Sequence, residues 1–294
     1  MPHIALVWDF DGTLSPVDST TKTVEFFQGQ TKGGEFWSYI KSLRGDKELP
    51  TWEHILASDA PIWMYSLSRL AFNKKAPLNA EFFKNFIIPL VPLYPHVLEC
   101  LQKIKALEKQ SEFQKLKLEI HHFIVSAGLK ELIEQLFPKD LITWTFGCRY
   151  KIVAFAGNES EPESVPVFCM DETMKTRSLF EISKGSFEDP EKSVNSRVDK
   201  KDLWVPFENM IYIGDGETDI PALSLTRKTG GLGVAVYDPS LPKEKIATRF
   251  KKMRFDKRTD LITPADFSDG SELCNYLSLR CNQIRQRYEA EATV

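Results

Sequence analysis

Two aspartates stand two residues apart in Asp9-Phe10-Asp11, directly after the apolar run IALVW at 4–8 and directly before Gly12-Thr13. In an extended chain, residues i and i+2 face the same side, so the two carboxylates share one space. Like charges that close oppose each other's ionisation and call for a cation or a shared proton. Gly12 permits a backbone conformation closed to other residues. A turn rich in Asp and Gly at a strand end is the alternative explanation. The pattern returns after the apolar run 210–214, in Asp215-Gly216-Glu217-Thr218-Asp219. A helix starting near Thr218 would put Asp219 in its first turn, close to Asp215. Acids there also suit the helix dipole. Oxygen donors without His or Cys companions suit Mg²⁺, which takes one or two carboxylates and keeps waters and phosphate oxygens.

Two weaker signals accompany these pairs. Ser126-Ala127-Gly128 follows an apolar run and precedes a predicted helix, where a hydroxyl and free N–H groups bind anions. No GxSxG context surrounds Ser126, so it is not read as a nucleophile. Lys175 stands at the start of a predicted helix, where a cation opposes the macrodipole and needs an anion nearby. Lys184, at the end of that helix, is the competing lysine and has a favourable dipole position of its own. His121 and His122 are adjacent in a strand, face opposite sides and do not easily share one metal. They read as core or sheet-surface histidines.

The elements that must position these groups follow from hydrophobic periodicity. Buried strands are predicted at 4–8, 120–126, 144–156 (one or two strands), 210–214 and 231–237. Helices are predicted at 95–107, 129–137, 173–183, 246–253 and 273–288. The stretch 157–166 reads as an acidic loop. Strand–helix alternation with near-continuous apolar strands predicts a doubly wound, mostly parallel α/β sheet covered on both faces, and ligands in such sheets sit beyond the carboxyl ends of the strands. Between about 20 and 92 the period changes. Segments 35–43, 52–72 and 79–88 carry apolar residues at helical spacing with no strand among them, and their aromatics can support a local core. This predicts a smaller all-α unit, 18–92, inserted after the first strand of a core made of 1–17 and 93–294.

Composition narrows the function. The chain has 294 residues, and 38 basic against 41 acidic residues leave a formal charge of −3. That charge gives no basic footprint for nucleic acid. No apolar stretch has the length of a membrane span. The start of the chain does not resemble a signal peptide. Five cysteines without CxxC spacing read as reduced thiols in a cytoplasmic protein. No P-loop sequence is present.

Asp9-Phe-Asp-Gly-Thr-Leu14, Ser126, Lys175 and Gly214-Asp-Gly-Glu-Thr-Asp219, in that order, resemble the four motifs of the haloacid dehalogenase (HAD) superfamily. The insert after the first motif resembles the C1 cap of its phosphoserine-phosphatase-like branch. The stretch from Lys175 to Asp215 is longer than in compact members. The resemblance implies that Asp9 is a nucleophile forming an aspartyl-phosphate, and that Asp11 is the acid and base. It implies Mg²⁺ held by the Asp9 carboxylate, the Asp11 carbonyl and Asp215, with Asp219 behind them. Ser126, Ala127, Gly128 and Lys175 would meet the phosphoryl oxygens. The implied activity is Mg²⁺-dependent hydrolysis of a small phosphorylated metabolite, without nucleic-acid or membrane partners. A phosphomutase or phosphotransferase is the alternative, and a non-catalytic phospho-ligand-binding protein is a third. Asp11 separates this chain from the superfamily's dehalogenases, which lack that second aspartate. Asp18 and Glu25 lie near enough to the first motif to meet a substrate amine, although a solvated helix start explains them equally well.

Overall fold

The strand β1 (His3–Trp8) is central, and the residues from Ile4 to Trp8 have no accessible surface. Burial on both faces explains why this strand reads as a continuous apolar run instead of alternating. It belongs to a computed structural model that describes residues 2–44, 58–155, 160–189 and 191–292. Six further strands complete one sheet: β2 (Glu119–Leu129), β3 (Ile142–Val153), β4 (Glu163–Phe168), β5 (Met210–Gly214), β6 (Leu232–Tyr237) and β7 (Leu261–Pro264). Their order is β4-β3-β2-β1-β5-β6-β7. All pairings are parallel except β3 with β4. The expected mostly parallel, doubly wound α/β sheet is therefore the observed one.

The chain leaves β1 into helices α1 (Ser19–Gln28), α2 (Gly33–Arg44) and α3 (Asp59–Asn73), then through the helical turns Ala80–Phe82, Phe83–Ile87 and Ile88–Leu90. No strand occurs among the described residues of this stretch. The first part of the helix expected at 52–72, residues 52–57, lies outside the described residues. Entry and exit of the stretch are tied together. The Ser15 hydroxyl donates to the Pro92 carbonyl at 2.8 Å, and the Tyr94 N–H donates to the Leu14 carbonyl at 2.9 Å. The aromatic side chains do not make an isolated core. Phe27, Trp63 and Phe82 belong to the same buried cluster as β1 and β2.

The remaining helices are α4 (Val97–Lys105), α5 (Ser111–Leu116), the four-residue α6 (Lys130–Ile133), α7 (Glu172–Lys184), α8 (Ile220–Lys228), α9 (Lys243–Phe255) and α10 (Glu272–Glu291). Three sequence expectations need correction. The second half of the predicted acidic loop 157–166 is strand β4, the antiparallel edge, where Pro166 is tolerated because an edge strand does not need every N–H. β4 is also where the insert is fastened: the Leu78 N–H donates to Ser164 Oγ at 2.9 Å, and on β3 the Tyr150 hydroxyl donates to the Met64 carbonyl at 2.7 Å. The strand β2 runs three residues beyond Ser126, and the helix after it is only one turn long. Finally, Cys100 of α4 and Cys274 of α10 form a disulfide, which replaces the expectation of five reduced thiols. Cys148, Cys169 and Cys281 are free. Among the described residues, no helix is long and apolar enough to cross a membrane.

Candidate active site

Strand register collects the charged motifs. Trp8 of β1 pairs with Ile124 of β2 on one side and with Ile213 of β5 on the other. Asp9, Ser126 and Asp215 each lie within two residues of that shared level, so the three motifs converge at the carboxyl edge. The strand order reverses at β1, running outward through β2, β3 and β4 on one side and from β5 through β6 to β7 on the other, which is the crevice-forming point of an open α/β sheet.

Asp9 is 4% exposed, and its Oδ1 accepts from Lys175 Nζ at 2.8 Å. The same ammonium donates to Asp219 Oδ1 at 2.7 Å. Lys175 is buried on the first turn of α7, which Asp171 caps by accepting from the Met174 N–H. The anions that its position called for are thus Asp9 and Asp219. Burial alone would push the lysine pKa down, but Asp219 and Asp9 outweigh it and hold it above the usual value. Lys184 is elsewhere, donating to the carbonyls of Val194 and Ser196. Both oxygens of Asp219 accept hydrogen bonds. Oδ1 also accepts from the Tyr212 hydroxyl at 2.7 Å, and Oδ2 accepts from the Gly216 N–H at 3.1 Å. Its geometry is that of a group that fixes Lys175.

Asp11 is held differently. Its Oδ1 accepts from the Ser19 N–H at 2.8 Å and its Oδ2 from the Ser19 hydroxyl at 3.1 Å. Burial, with the charges of Asp18 and Asp9 adding to it, pushes its pKa well above the usual carboxylate range. Gly12 follows at φ +78°, and a Cβ there would fall 2.1 Å from Asp215 Oδ2, so the turn requires glycine twice over. Asp215 pairs with Arg249 of α9, Nη2 to Oδ2 2.7 Å. Burial and Asp219 still push Asp215 up to about 6. Burial, Asp219 and Asp215 push Asp9 up to about 8.

Ser126 is buried, and its Oγ accepts from the Gly128 N–H at 2.9 Å. A Cβ on Gly128 would meet Asp11 Oδ2, Ser19 Oγ and Ser126 Oγ at 3.1 to 3.2 Å, so Ser126 and Asp11 line one space. Ser126, Ala127 and Gly128, expected to bind an anion at a helix start, lie within the end of β2 instead of at a helix N-terminus. The Gly128 N–H is already bonded to Ser126, Ala127 is still within the strand, and α6 is too short to have a developed dipole.

The donor set fits a divalent cation. Asp9, Asp215 and Asp219 each bring a carboxylate oxygen to within 4.8 Å of the others. Four carboxyl groups face two cations, Lys175 and Arg249, in a buried place, and a further cation would favour their ionised forms. All the donors are oxygens, the set a hard ion such as Mg²⁺ takes.

Sequence reasoning missed several contributors. Ser19, Tyr212 and Arg249 bind Asp11, Asp219 and Asp215 respectively. The Thr13 hydroxyl, two residues after Asp11, is buried without a hydrogen-bond partner among the described residues. Ser19 had a signal as a helix-start serine, and Tyr212 as the residue two before Gly214. Arg249, 34 residues from Asp215, had none. Asp18 and Glu25 turn out to serve α1: Asp18 caps it by accepting from the Thr21 N–H at 2.5 Å, and Glu25 pairs with Lys22 at 2.8 Å.

A central β1 with acidic motifs on β1 and β5, a lysine on the intervening helix and helices inserted after β1 defines the haloacid dehalogenase fold, and this chain has it. Solved structures share the fold. A HAD family hydrolase from Salmonella enterica serovar Typhi superposes with a TM-score of 0.54 at 16% identity, over 94% of this chain and 72% of that one. A probable phosphoserine phosphatase from Vibrio cholerae gives 0.52 at 15% identity, over 98% and 67%. A phosphoserine phosphatase solved as a phospho-aspartyl intermediate analogue gives 0.50 at 13% identity, over 95% and 99%. In sequence, an uncharacterized protein of Borreliella burgdorferi is 26% identical over 297 residues, which cover 93% of this chain and 95% of that protein. No family model matches.

Proposed function

We propose that this protein is a Mg²⁺-dependent phosphatase of small phosphorylated metabolites that works through an aspartyl-phosphate on Asp9. The observation that carries the reading is the contrast between the two aspartates of the first motif. Asp9 is paired with an ammonium, while Asp11 accepts from the Ser19 N–H and hydroxyl and has no ion pair among the described residues. Two carboxylates with separated environments are the usual arrangement of a nucleophile and an acid.

An Asp9 oxygen attacks phosphorus as the bond to the leaving oxygen breaks, and Asp11 gives that oxygen its proton. A water then attacks the aspartyl-phosphate, Asp11 takes the water's proton, and Asp9 is regenerated with release of phosphate. Lys175 and the Ser126 hydroxyl face the phosphoryl oxygens where charge is greatest. Mg²⁺, held by Asp9, the Asp11 carbonyl and Asp215, would neutralise charge on Asp9 and the phosphoryl group. Tyr212 and Gly216 hold Asp219, which in turn holds Lys175. The inserted segment 18–92 acts as a cap over this edge, and its first helix carries Ser19 against Asp11. A lid there excludes bulk water during the reaction.

The test is phosphate release from a panel of phosphorylated metabolites with Mg²⁺ in ¹⁸O-labelled water. The proposal expects one labelled oxygen per released phosphate and loss of release with EDTA. Transfer to a second substrate hydroxyl without label would establish a mutase instead. Absence of both reactions across the panel would sink the enzyme reading.

A further inference from the structure

The opposite, amino-terminal edge of the same two strands carries a second group of metal-ligating side chains. The β1–β2 register sets His3 opposite Glu119 and Ala5 opposite His121. Glu119 and His121 are two apart on one strand and so share a face, and the small Ala5 leaves that face open between His3 and His121. His122 points to the other face, where it accepts from Trp8 Nε1 at 3.1 Å and meets the Leu101 carbonyl at 3.0 Å. It has no part in the group.

Three atoms converge. His3 Nδ1 is 3.0 Å from His121 Nε2 and 3.6 Å from Glu119 Oε2, and His121 Nε2 is 3.5 Å from the same Oε2. Donors around a tetrahedral ion with bonds of about 2.0–2.1 Å are separated by about 3.3–3.4 Å. The triangle therefore has the size of one face of such a site, with the fourth position left open. The second ring nitrogen of His121 is also engaged: Nδ1 lies 3.2 Å from Thr143 Oγ1. In the tautomer whose Nδ1–H donates to Thr143, the ring is fixed and Nε2 keeps its lone pair, the usual outer support of a ligating histidine. Trp204 stacks on His3 at 4.4 Å and 15° and lies against His121 at 4.7 Å. It comes from the long connection between Lys175 and Asp215, a length the catalytic motifs do not need. The nearby Lys105 ammonium is answered by Glu108 at 3.0 Å. Half of the Glu119 side chain faces solvent, which gives an ion a path in.

We propose that His3, Glu119 and His121 form a binding site for a divalent transition metal of the Zn²⁺ class. His3 and Asp9 are six residues apart on an extended strand, about 20 Å, so this site is separate from the acidic one. Its nitrogen donors favour Zn²⁺ over Mg²⁺. A bound ion would clamp the starts of β1 and β2 together beneath the Trp204 segment.

The experiment titrates the full chain with Co²⁺ in saturating Mg²⁺, reading the visible absorption of tetrahedral cobalt and its displacement by Zn²⁺. The wild type should take up one Co²⁺ that Zn²⁺ displaces. His3→Gln and His121→Gln should lose the absorption while keeping the wild-type circular dichroism. Glu119→Gln, at a half-exposed position that folding tolerates, should weaken binding by about tenfold or more. Asp215→Asn and Cys169→Ser should bind as the wild type does. No stoichiometric uptake by the wild type, unchanged affinity in Glu119→Gln, or loss of binding in Cys169→Ser would each overturn the proposal.

Discussion

The two ends of β1 differ in chemistry although one strand carries both. At the carboxyl end Asp9 is nearly sealed from water and faces Asp215, Asp219 and Lys175. At the amino end His3 meets an imidazole and a carboxylate that is half exposed. Between them the chain from Ile4 to Trp8 is buried on both faces, and its one side-chain polar group, the Trp8 N–H, is taken up by His122. A central parallel strand thus has only its ends available for chemistry. Exposure then sets how strongly the charges act. In the sealed end Asp9 and Asp215 are pushed up by burial and by their neighbours, while at the open end water screens the charge of Glu119. The donors differ accordingly, oxygen at one end and mostly nitrogen at the other.

The hardest way to break this comparison is to remove the charge at the sealed end. Asp9→Asn is isosteric and should lower phosphate release by on the order of 10⁴-fold or more, as loss of a nucleophile does. Folding should survive, because one of four crowded carboxylates disappears. Steady-state release and thermal unfolding of the same preparation check both parts. Turnover within tenfold of wild type would remove Asp9 from the role of nucleophile, while the cobalt uptake at His3 and His121 should be unaffected.

The two acidic motifs were legible because each is local. Asp9 and Asp11 are two apart, and Asp215 and Asp219 four apart, so strand and turn geometry alone brings them together. The choice between Lys175 and Lys184 was not local. It depends on which end of α7 faces β1, and the structure puts Lys175 on Asp9 and Asp219. Arg249 and the Cys100–Cys274 pair, 174 residues apart, depend on how distant helices pack, which no spacing reveals. β4 is hidden because Pro166 within it and the acids and Pro162 just before it read as loop, and β7 because four residues ending in proline carry almost no period. The group at His3 was invisible for a related reason. His121 was weighed against its chain neighbour His122, whereas its partners are across the strand pair.

A milder perturbation is pH in the metal-free protein. Asp9 is raised from 3.8 to about 8 and Asp215 from 3.8 to about 6. Between these limits the folded chain binds more protons than the unfolded chain. Stability is therefore fully present below about pH 4 as far as these two groups are concerned, and it is lost as pH rises through about 6 and then about 8. The Tm of the EDTA-treated protein should fall between pH 5 and pH 8.5, and excess Mg²⁺ should flatten that slope. Asp9→Asn should remove the upper part of it. A metal-free Tm that is constant or rises over this range would mean that the carboxylates are not crowded as described.

The smallest effect is expected at Arg249, where the sealed end opens to solvent. Its guanidinium sits 2.7 Å from Asp215 Oδ2, and its side chain is 38% exposed. As a cation on a proposed metal ligand it competes with the ion for the same carboxylate. A partly exposed ion pair contributes only about 0–1 kcal/mol, which limits the competition to about fivefold. Arg249→Gln should therefore lower the Mg²⁺ concentration for half-maximal activity by about two- to fivefold, with little change in kcat at saturating metal. The Co²⁺ affinity of the distant histidine group should not move. A raised Mg²⁺ requirement would reverse the assignment: Arg249 would then be a residue that positions Asp215 for the metal.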